Sequence, residues 1–258
     1  MLPAARASGN TAYLAELLTQ IARTEGLQGR FDAAHRTLDE AEALITPEMK
    51  RARVRLLLER GRAFNSGGQV PKARPLFLEA WEIGRAAKED GLAVDAAHMV
   101  AIVESGDAAL EWNLKALTLA QASTEPRAQR WQASLYNNLG WTYHDRKQYT
   151  LALEMFEKAV LRRRINAQPR EEREAWWCLG RCLRSLGRLP EALEIQQRLT
   201  RFDQDGYVAE EMAECLLALG QGAKARPWFA KAHALLSADA WMVKNEAARL
   251  KRLQEMSQ

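Results

Sequence analysis

Residues 136–159 read YNNLGWTYHDRKQYTLALEMFEKA and are the clearest copy of a pattern that recurs along the chain. Small residues at Gly140 and Ala152 and large ones at Tyr143 and Phe156 recur within it at helical spacing. Small side chains let two helices approach closely, and large ones fill the space between neighbouring helix pairs. One such pair cannot bury its own apolar face, so the pattern predicts a stack of helix pairs.

Turn signals recur with the same period. In each clear copy a Gly ends one helix and an Ala lies one turn into the next, because Gly adopts the left-handed cap conformation without steric cost. The clear copies are 29–34, 68–73, 187–192 and 220–225, and weaker ones are 104–109 and 147–152. Their closing alanines follow one another at 39, 36, 43, 40 and 33 residues. Such a period indicates a helical repeat protein.

The repeat resembles the tetratricopeptide repeat, whose period is about 34 residues. The fourth copy carries the family's aromatic, Leu-Gly, aromatic, Ala, Phe, Ala signature at Tyr136, Leu139-Gly140, Tyr143, Ala152, Phe156 and Ala159. The fifth copy departs from it, with Gln196 where the family has Phe. The long spacings are similar to repeats of the kinesin light chain and bacterial regulator type. The resemblance implies an all-α, right-handed superhelical solenoid of about six antiparallel helix pairs with a C-terminal capping helix.

The phased copies predict one solenoid domain over residues 1–258. Its repeats are expected at 11–46, 51–90, 91–122, 128–166, 172–204 and 206–237. The capping helix is predicted at 240–256, begun by Asp239 as N-cap and packed through Trp241, Ala248, Leu250 and Leu253. Residues 4–9 resemble 86–91, the close of a second helix. We therefore expect the chain to open on the tail of a repeat, either as a cap or because the sequence is a fragment of a longer protein.

Composition fits a folded helical protein, with 47% hydrophobic and 27% charged residues. The net charge of +4 is matched by residues 160–204 alone, which hold ten arginines and six acids. That stretch either attracts an acidic partner or is a solvated helical face. The chain has no run of the ~20 apolar residues that a membrane span needs and no secretory signal pattern at its start. We therefore expect a cytoplasmic protein that does not associate with membranes.

Aligning the copies predicts which side chains of the first helices face an expected concave groove. The predicted groove residues are Arg62, His98, Asn137, Trp141, His144, Trp177, Arg181 and Arg184. Arginines would supply charge-assisted hydrogen bonds, tryptophans apolar area, and the Asn137 amide hydrogen bonds to a ligand backbone. We expect the partner to be a protein or peptide with acidic and apolar residues. The alternative for Trp177 is simple packing against the next helix.

One known binding mode of the family does not extend to this chain. The chaperone-tail receptors grip a carboxylate with two Lys, two Asn and one Arg on three successive first helices. The corresponding positions here hold Val94 and His98, then Asn138, then Glu174 and Cys178. Only one clamp residue is present, so the resemblance does not predict a chaperone-tail receptor.

Catalytic and metal-binding chemistry is not predicted. Cys178 and Cys182 lie four residues apart on one expected helix, but Cys182 and Cys215 occupy equivalent small positions of the repeat, which favours structural cysteines. The four histidines are scattered over separate repeats and form no metal or nucleophile motif. We therefore predict no enzyme and no cofactor.

The predicted function is an interaction scaffold that binds a partner in its groove. The alternative is the ligand- or peptide-sensing half of a larger bacterial regulator whose effector domain is absent from this chain. Single-stranded nucleic acid on the arginine-rich fifth repeat is a third hypothesis that we do not favour. Self-association through the convex face or a blunt end would give a homo-oligomer and stays open.

Overall fold

The computed structural model describes residues 2–202 and 204–258, and the regular secondary structure within these ranges is helical. The helices there are α1 (Leu2–Ala7), α2 (Thr11–Leu27), α3 (Phe31–Leu44), α4 (Lys50–Ser66), α5 (Val70–Ala86), α6 (Asp90–Val103), α7 (Gly106–Ala122), α8 (Pro126–Asp145), α9 (Tyr149–Ile165), α10 (Pro169–Ser185), α11 (Leu189–Leu199), α12 (Gly206–Ala218), α13 (Gly222–Leu236), α14 (Ala240–Asn245) and α15 (Ala247–Met256). None of these helices is both long and apolar enough to cross a bilayer.

Helices from α2 onward form pairs that contact each other across short turns. The members of α2–α3, α4–α5, α6–α7, α10–α11 and α12–α13 pack together, and α9 also packs on α10. Contacting helices joined by so short a turn must run antiparallel. The predicted all-α class of antiparallel helix pairs is therefore confirmed.

The chain divides into two compact units, Met1–Leu135 (unit 1) and Tyr136–Gln258 (unit 2). In unit 1, Leu18, Leu38 and Leu56 from three successive helices share one buried cluster. Alanines of the repeat pattern accompany them at the close approaches: Ala22, Ala34, Ala41 and Ala63. The small and large residues of the repeat thus occupy the roles that their sizes predict.

Unit 2 has the same internal design. The Phe156 ring is fully buried against Gly140, and a Cβ added to Gly140 would lie 2.5 Å from the Phe156 Cε1 atom. Phe229 holds the corresponding place in the last repeat, within a cluster that includes Met212 and Leu236. The glycine of α8 is therefore a requirement of helix packing and not of backbone conformation.

The turns between helices have the glycine conformations that the sequence predicts. Gly187 and Gly220 take left-handed conformations, with φ of 75° and 73°, directly after α10 and α12. In the weaker copy, Lys147 adopts φ of 60° at the same point. The turn signal of this copy is weak because Lys147 stands where the clear copies have Gly. Lysine takes this conformation at a steric cost that glycine does not carry.

The C-terminal segment is helical, but it is divided into α14 and α15 at Glu246. Asp239 caps α14 as predicted, since its carboxylate accepts a 2.8 Å hydrogen bond from the Trp241 amide. Leu250 and Leu253 pack on the last repeat as expected. The expectations for Trp241 and Ala248 are wrong, because Trp241 is 59% exposed and Ala248 is exposed too, and Met242 is buried instead. Within α14 the neighbouring Met242 faces the core, so the side chain of Trp241 is directed away from it.

Candidate functional site

A cleft of about 830 Å³ opens in unit 2 along the first half of α10. It is lined from α8, from the ends of α9 and α11, from α10, from the segment after α11 and from the start of α12. The lining residues are Asn137, Arg163, Arg170, Glu171, Arg173, Glu174, Trp177, Cys178, Leu199, Phe202, Asp205, Tyr207 and Val208. Concave sites that mix aromatic surface with a few polar groups are typical ligand sites. The cleft is therefore the candidate site of unit 2.

Two of the predicted groove residues, Asn137 and Trp177, line this cleft. The Trp177 indole Nε1 donates a 3.1 Å hydrogen bond to the carbonyl oxygen of Tyr207, and the two rings have centroids 6.1 Å apart. Tyr207 is fixed in turn by Asp205, whose carboxylate accepts a 2.7 Å hydrogen bond from the Tyr207 amide as the cap of α12. Trp177 therefore packs on the next helix and also faces the cleft, so its role in binding stays a prediction.

The other four predicted residues of unit 2 form a network beside the cleft, and they are not part of its described lining. The Trp141 ring centroid lies 6.0 Å from that of Trp177 and 5.3 Å from that of His144. The guanidinium carbon of Arg181 lies 5.6 Å from each indole centroid, which is within cation–π range. His144 Nε2 lies 2.9 Å from Ser185 Oγ. These side chains contact one another, and Trp141 and Arg181 pack against the Trp177 ring.

The charges of this network are largely balanced within unit 2. Arg184 donates hydrogen bonds of 2.8 and 2.9 Å to the two carboxylate oxygens of buried Glu211. Arg181 Nη1 lies 3.5 Å from the same carboxylate. An incoming acidic group would have to compete with Glu211 for both arginines. They are therefore poorer ligand contacts than the sequence alone indicates.

His144 is the titratable group of the network that is closest to neutral pH. Burial lowers its pKa below the usual 6.5, and the nearby positive charge of Arg181 lowers it further. The nearby Asp145 carboxylate acts in the opposite direction but does not reverse the shift. The imidazole is consequently neutral at pH 7 and suits a hydrogen bond with the Ser185 hydroxyl.

Arg62 and His98 lie in unit 1 and are described there by themselves. Arg62 is almost fully buried, donates a 2.6 Å hydrogen bond to Glu59 and bonds the Asp95 carboxylate as well. The His98 ring packs on Trp131 with centroids 5.1 Å apart, and burial lowers its pKa. Arg62 thus directs its donors at acids of its own unit, and its proposed contact with a partner stays a prediction.

Sequence reasoning missed most of the cleft. Tyr207 directly follows a capping signal, Asp205-Gly206, which could have placed it at the start of α12 beside Trp177. Phe202 lies between α11 and α12, at a point that the repeat pattern does not describe. Arg170 opens α10, one residue after Pro169, and faces the cleft only because that helix begins there.

The three cysteines are buried and stay protonated. Burial raises the pKa of Cys178 and Cys215 to about 12 and that of Cys182 to about 11. A thiol in this state is a poor nucleophile and a poor metal ligand. In the part of the chain that the structure describes, no three His, Cys, Asp or Glu side chains converge on a possible metal position.

Several solved structures share this fold. BtubC (BKLC) from P. vanneervenii superposes with a TM-score of 0.64 at 19% identity, over 74% of this chain and 80% of that one. The signal transduction ATPase with numerous domains (STAND) from Pyrococcus horikoshii, described with a tetratricopeptide repeat sensor, has a TM-score of 0.75 at 16% identity, over 95% of this chain and 39% of that one. PilF of Pseudomonas aeruginosa has a TM-score of 0.56 at 18% identity, over 81% and 88% of the two chains. At these identities the likeness concerns the fold alone.

The chain spans 39% of the length of the STAND protein that it matches. No curated protein matches it in sequence. The sequence profile of the tetratricopeptide repeat, in contrast, matches residues 19–91 and 137–207, which together are more than half of the chain. The matched ranges include the turn signals at 29–34, 68–73, 147–152 and 187–192. This chain belongs to the tetratricopeptide repeat family.

Proposed function

We propose that this chain is a protein-interaction scaffold and that the cleft of unit 2 binds a segment of a partner protein. Tetratricopeptide repeats stack into extended surfaces that hold other polypeptides, and this general role follows from the family. The location of the site, the chemistry of the bound segment and the residues that contact it are the proposal.

The observation that carries the proposal is the composition of the cleft. Trp177, Phe202 and Tyr207 offer aromatic surface in one concavity of about 830 Å³. Arg163, Arg170 and Arg173 lie around the same concavity together with three acids, Glu171, Glu174 and Asp205. Of these acids, Asp205 caps α12 and Glu174 pairs with Arg170. Aromatic and arginine side chains dominate the binding energy of protein interfaces because they combine large contact area with directed hydrogen bonds. The aromatic surface favours apolar residues in the bound segment, and the proposal that acidic residues accompany them depends on Arg170, whose pair with Glu174 is exposed.

Each cleft residue has a distinct proposed role. Trp177 provides an apolar wall that its hydrogen bond to Tyr207 holds in place before the partner arrives, which limits the entropy lost on binding. Arg170 is 83% exposed at the cleft, so it can reorient from Glu174, 3.5 Å away, towards a carboxylate of the partner. Asn137 can both donate to and accept from the backbone of an extended segment.

Four further residues have a positioning role in this proposal, namely Trp141, His144, Arg181 and Arg184. They fix the position of Trp177 through ring contacts and through the shared carboxylate of Glu211. Substituting them would change the shape of the cleft wall as well as any direct contact. For this reason Arg170 is a sharper probe of binding than Arg181.

The regulator alternative gives the same cleft a sensing role. Its support is limited to the fold shared with the repeat sensor of the P. horikoshii protein. It predicts that an effector domain is encoded in frame with this chain. The genomic sequence around the coding region tests this directly, and a DNA-binding or enzymatic domain there would favour the alternative.

The scaffold proposal is tested by selecting peptides from a random display library on the whole chain and measuring their affinities by calorimetry. We expect the selected peptides to contain acidic and apolar residues, and Arg170→Glu to weaken them about tenfold, the effect of reversing one charge beside a bound carboxylate. Trp177→Ala should weaken them at least as much. The salt dependence of binding should fall in Arg170→Glu, since one charge contact is lost.

Two control variants match these changes outside the cleft. Arg226→Glu reverses an exposed arginine of α13, and Trp241→Ala removes an exposed indole of α14. Both should bind the selected peptides as the wild type does. Peptides that bind Arg170→Glu and Trp177→Ala with unchanged affinity would place the interaction elsewhere and end the proposal.

A further inference from the structure

The second helix of the fifth repeat is short. α11 has 11 residues, whereas α9 has 17 and α13 has 15. It ends at Leu199, so the beginning of α10 is left beside an open pocket of about 210 Å³ and not beside another helical turn. We call this concavity the α11 pocket. It is absent from the sequence pattern because the pattern marks where repeats begin and does not mark how long their second helices run.

The walls of the α11 pocket are mainly apolar. Pro169 and Trp176 come from α10, Ile195 and Leu199 from α11, and Phe202 from the following segment. Phe202 is 62% exposed, so most of a large apolar ring is open to solvent and available for contact. The volume is about that of one large side chain, which makes the pocket a receptacle for a single residue.

The rim of the pocket is positively charged. Arg164, Arg173 and Arg198 line it together with one acid, Glu172. The Glu172 carboxylate already accepts hydrogen bonds of 3.0 and 2.8 Å from Arg164 and one of 3.3 Å from the Trp176 indole. Among the described lining residues, the one carboxylate is therefore engaged, and the charges of these residues favour an acidic ligand.

Two of these arginines lie over the aromatic walls. The guanidinium carbon of Arg198 is 5.5 Å from the Trp176 ring centroid, and that of Arg173 is 5.4 Å from the Phe202 ring centroid. A guanidinium stacked on a ring keeps its N–H donors at the ring edge, where they can reach a carboxylate. Apolar contact and charge recognition thus adjoin in the same pocket.

The α11 pocket continues into a second depression of about 420 Å³ that runs between α9 and α11. The two concavities share four residues, namely Arg164, Trp176, Ile195 and Arg198. A polypeptide with one side chain in the pocket can therefore extend along the depression. Three acids also line the depression, Glu157, Glu191 and Glu194, so the acidic residues of the ligand have to lie at the shared arginines, Arg164 and Arg198. A small molecule confined to the pocket would not contact the depression, whereas a peptide can contact both, so the extension favours a peptide segment as the occupant.

We propose that the α11 pocket binds one aromatic or large aliphatic side chain of a partner polypeptide whose neighbouring residues are acidic. This is a second binding site, which goes beyond the cleft of the proposed function. The cleft and the α11 pocket share three lining residues, Arg173, Leu199 and Phe202, which lie between the two sites. Arg198 lines the α11 pocket and Arg170 lines the cleft, so the two sites can be tested separately.

The probe is the peptide acetyl-Glu-Phe-Glu-amide, titrated into the whole ¹⁵N-labelled chain while the indole N–H signals are followed by NMR. We expect the Trp176 indole signal to shift and saturate. Acetyl-Glu-Ala-Glu-amide should bind at least about tenfold more weakly because it cannot fill the pocket. Acetyl-Gln-Phe-Gln-amide should lose a similar factor because it cannot pair with the arginines. Phenylacetate tests the small-molecule occupant, and binding as tight as that of the acidic phenylalanine peptide would overturn the choice of a peptide.

Variants assign the binding to the pocket. Arg198→Glu should weaken the acidic phenylalanine peptide about tenfold, and Phe202→Ser, a change at an exposed side chain, should weaken it as well. Arg170→Glu and the surface control Arg226→Glu should leave its affinity unchanged. If Trp176 does not respond, or if Arg198→Glu and Phe202→Ser both bind as the wild type does, the proposal is overturned. If only Arg170→Glu weakens the peptide, it is bound in the cleft, and the pocket proposal fails while the function proposed for the cleft stands.

Discussion

Arg184 and Glu211 join two successive helix pairs of unit 2 through two parallel hydrogen bonds of 2.8 and 2.9 Å. Arg181, which directly follows the packing residue Gly180, lies 3.5 Å from the same carboxylate. Glu211 stands two residues before Ala213, the packing residue of the next repeat. An arginine after one packing residue is therefore paired with an acid before the next one.

Unit 1 contains the same arrangement. Arg62 follows the packing residue Gly61 and pairs with Asp95, two residues before Ala97. Arg23, which follows Ala22, lies 3.5 Å from Glu59, two residues before Gly61. The recurrence indicates that these ion pairs belong to the repeat architecture, and we infer that they set the register of neighbouring helix pairs. Most of the arginines predicted for the groove are accounted for in this way.

Removing the shared acid should destabilise unit 2 strongly. We expect Glu211→Ala to lower the free energy of unfolding by about 2–4 kcal/mol, because two arginines lose their partner and Arg184 is only partly exposed. Urea unfolding followed by circular dichroism measures the change. Glu154→Ala is the control, since it breaks an exposed pair with Lys158 that is worth about 0.5 kcal/mol or less. Equal losses in the two variants would contradict a register role for Glu211.

The close approach of α8 and α9 predicts a marked effect of one methyl group. Gly140→Ala places a Cβ 2.5 Å from the Phe156 ring, which is fully buried and cannot move away. We expect a loss of about 1–3 kcal/mol from overpacking, measured by the same urea titration. Gly222→Ala is the matched control, because a Cβ at that position meets nothing within 4 Å and Ala favours the helix. If Gly140→Ala is as harmless as Gly222→Ala, the packing requirement is wrong.

The fifth repeat carries a buried defect that a substitution should repair. Gln196 is fully buried where the fourth repeat has Phe156, and neither atom of its amide has a hydrogen-bond partner among the described residues. Gln196→Phe should raise the free energy of unfolding by about 1–3 kcal/mol, since it removes two unsatisfied polar atoms and adds apolar contact. The converse, Phe156→Gln, should lower it by about 3 kcal/mol or more. Calorimetric melting of both variants checks the two signs, and a lower melting temperature for Gln196→Phe would contradict the account.

The fold was predictable from sequence because its determinants are local. Gly187 and Gly220 end helices through their own backbone conformation, and Asp239 begins one through its own carboxylate, so each signal is visible where it acts. Gln196 was recognisable in the same way, as a departure from a repeated position. The break at Glu246 was not, because nothing in the local pattern distinguishes a long capping helix from two short ones.

The candidate site was only partly predictable because it depends on contacts between repeats. The pattern predicts Trp177 and Asn137 for the groove, and both line the cleft, where their role in binding stays a prediction. It cannot show that Arg184 is already bonded to Glu211, since the two residues come from different repeats. The length of α11 and the position of Phe202 depend on an irregular segment that carries no repeat signal. The cleft and the α11 pocket are both lined by Phe202 from that segment.

The state of His144 predicts how unit 2 responds to acid. Burial first, and then the charge of Arg181, hold its pKa in the folded chain below the 6.5 of an unfolded histidine. Between these two pKa values the unfolded chain binds more protons than the folded one, so the contribution of His144 to stability is lost as the pH falls through and below about 6.5. We expect the free energy of unfolding of the wild type to fall more between about pH 7.5 and pH 5.5 than that of His144→Gln, whose amide can still bond Ser185 Oγ. Urea titrations of both proteins at the two pH values measure the difference, and the other titrating groups cancel because the two chains share them. If both proteins lose the same stability, His144 has the same pKa in the folded and unfolded chains. Its contacts with Trp141 and Ser185 would then leave its protonation unaffected.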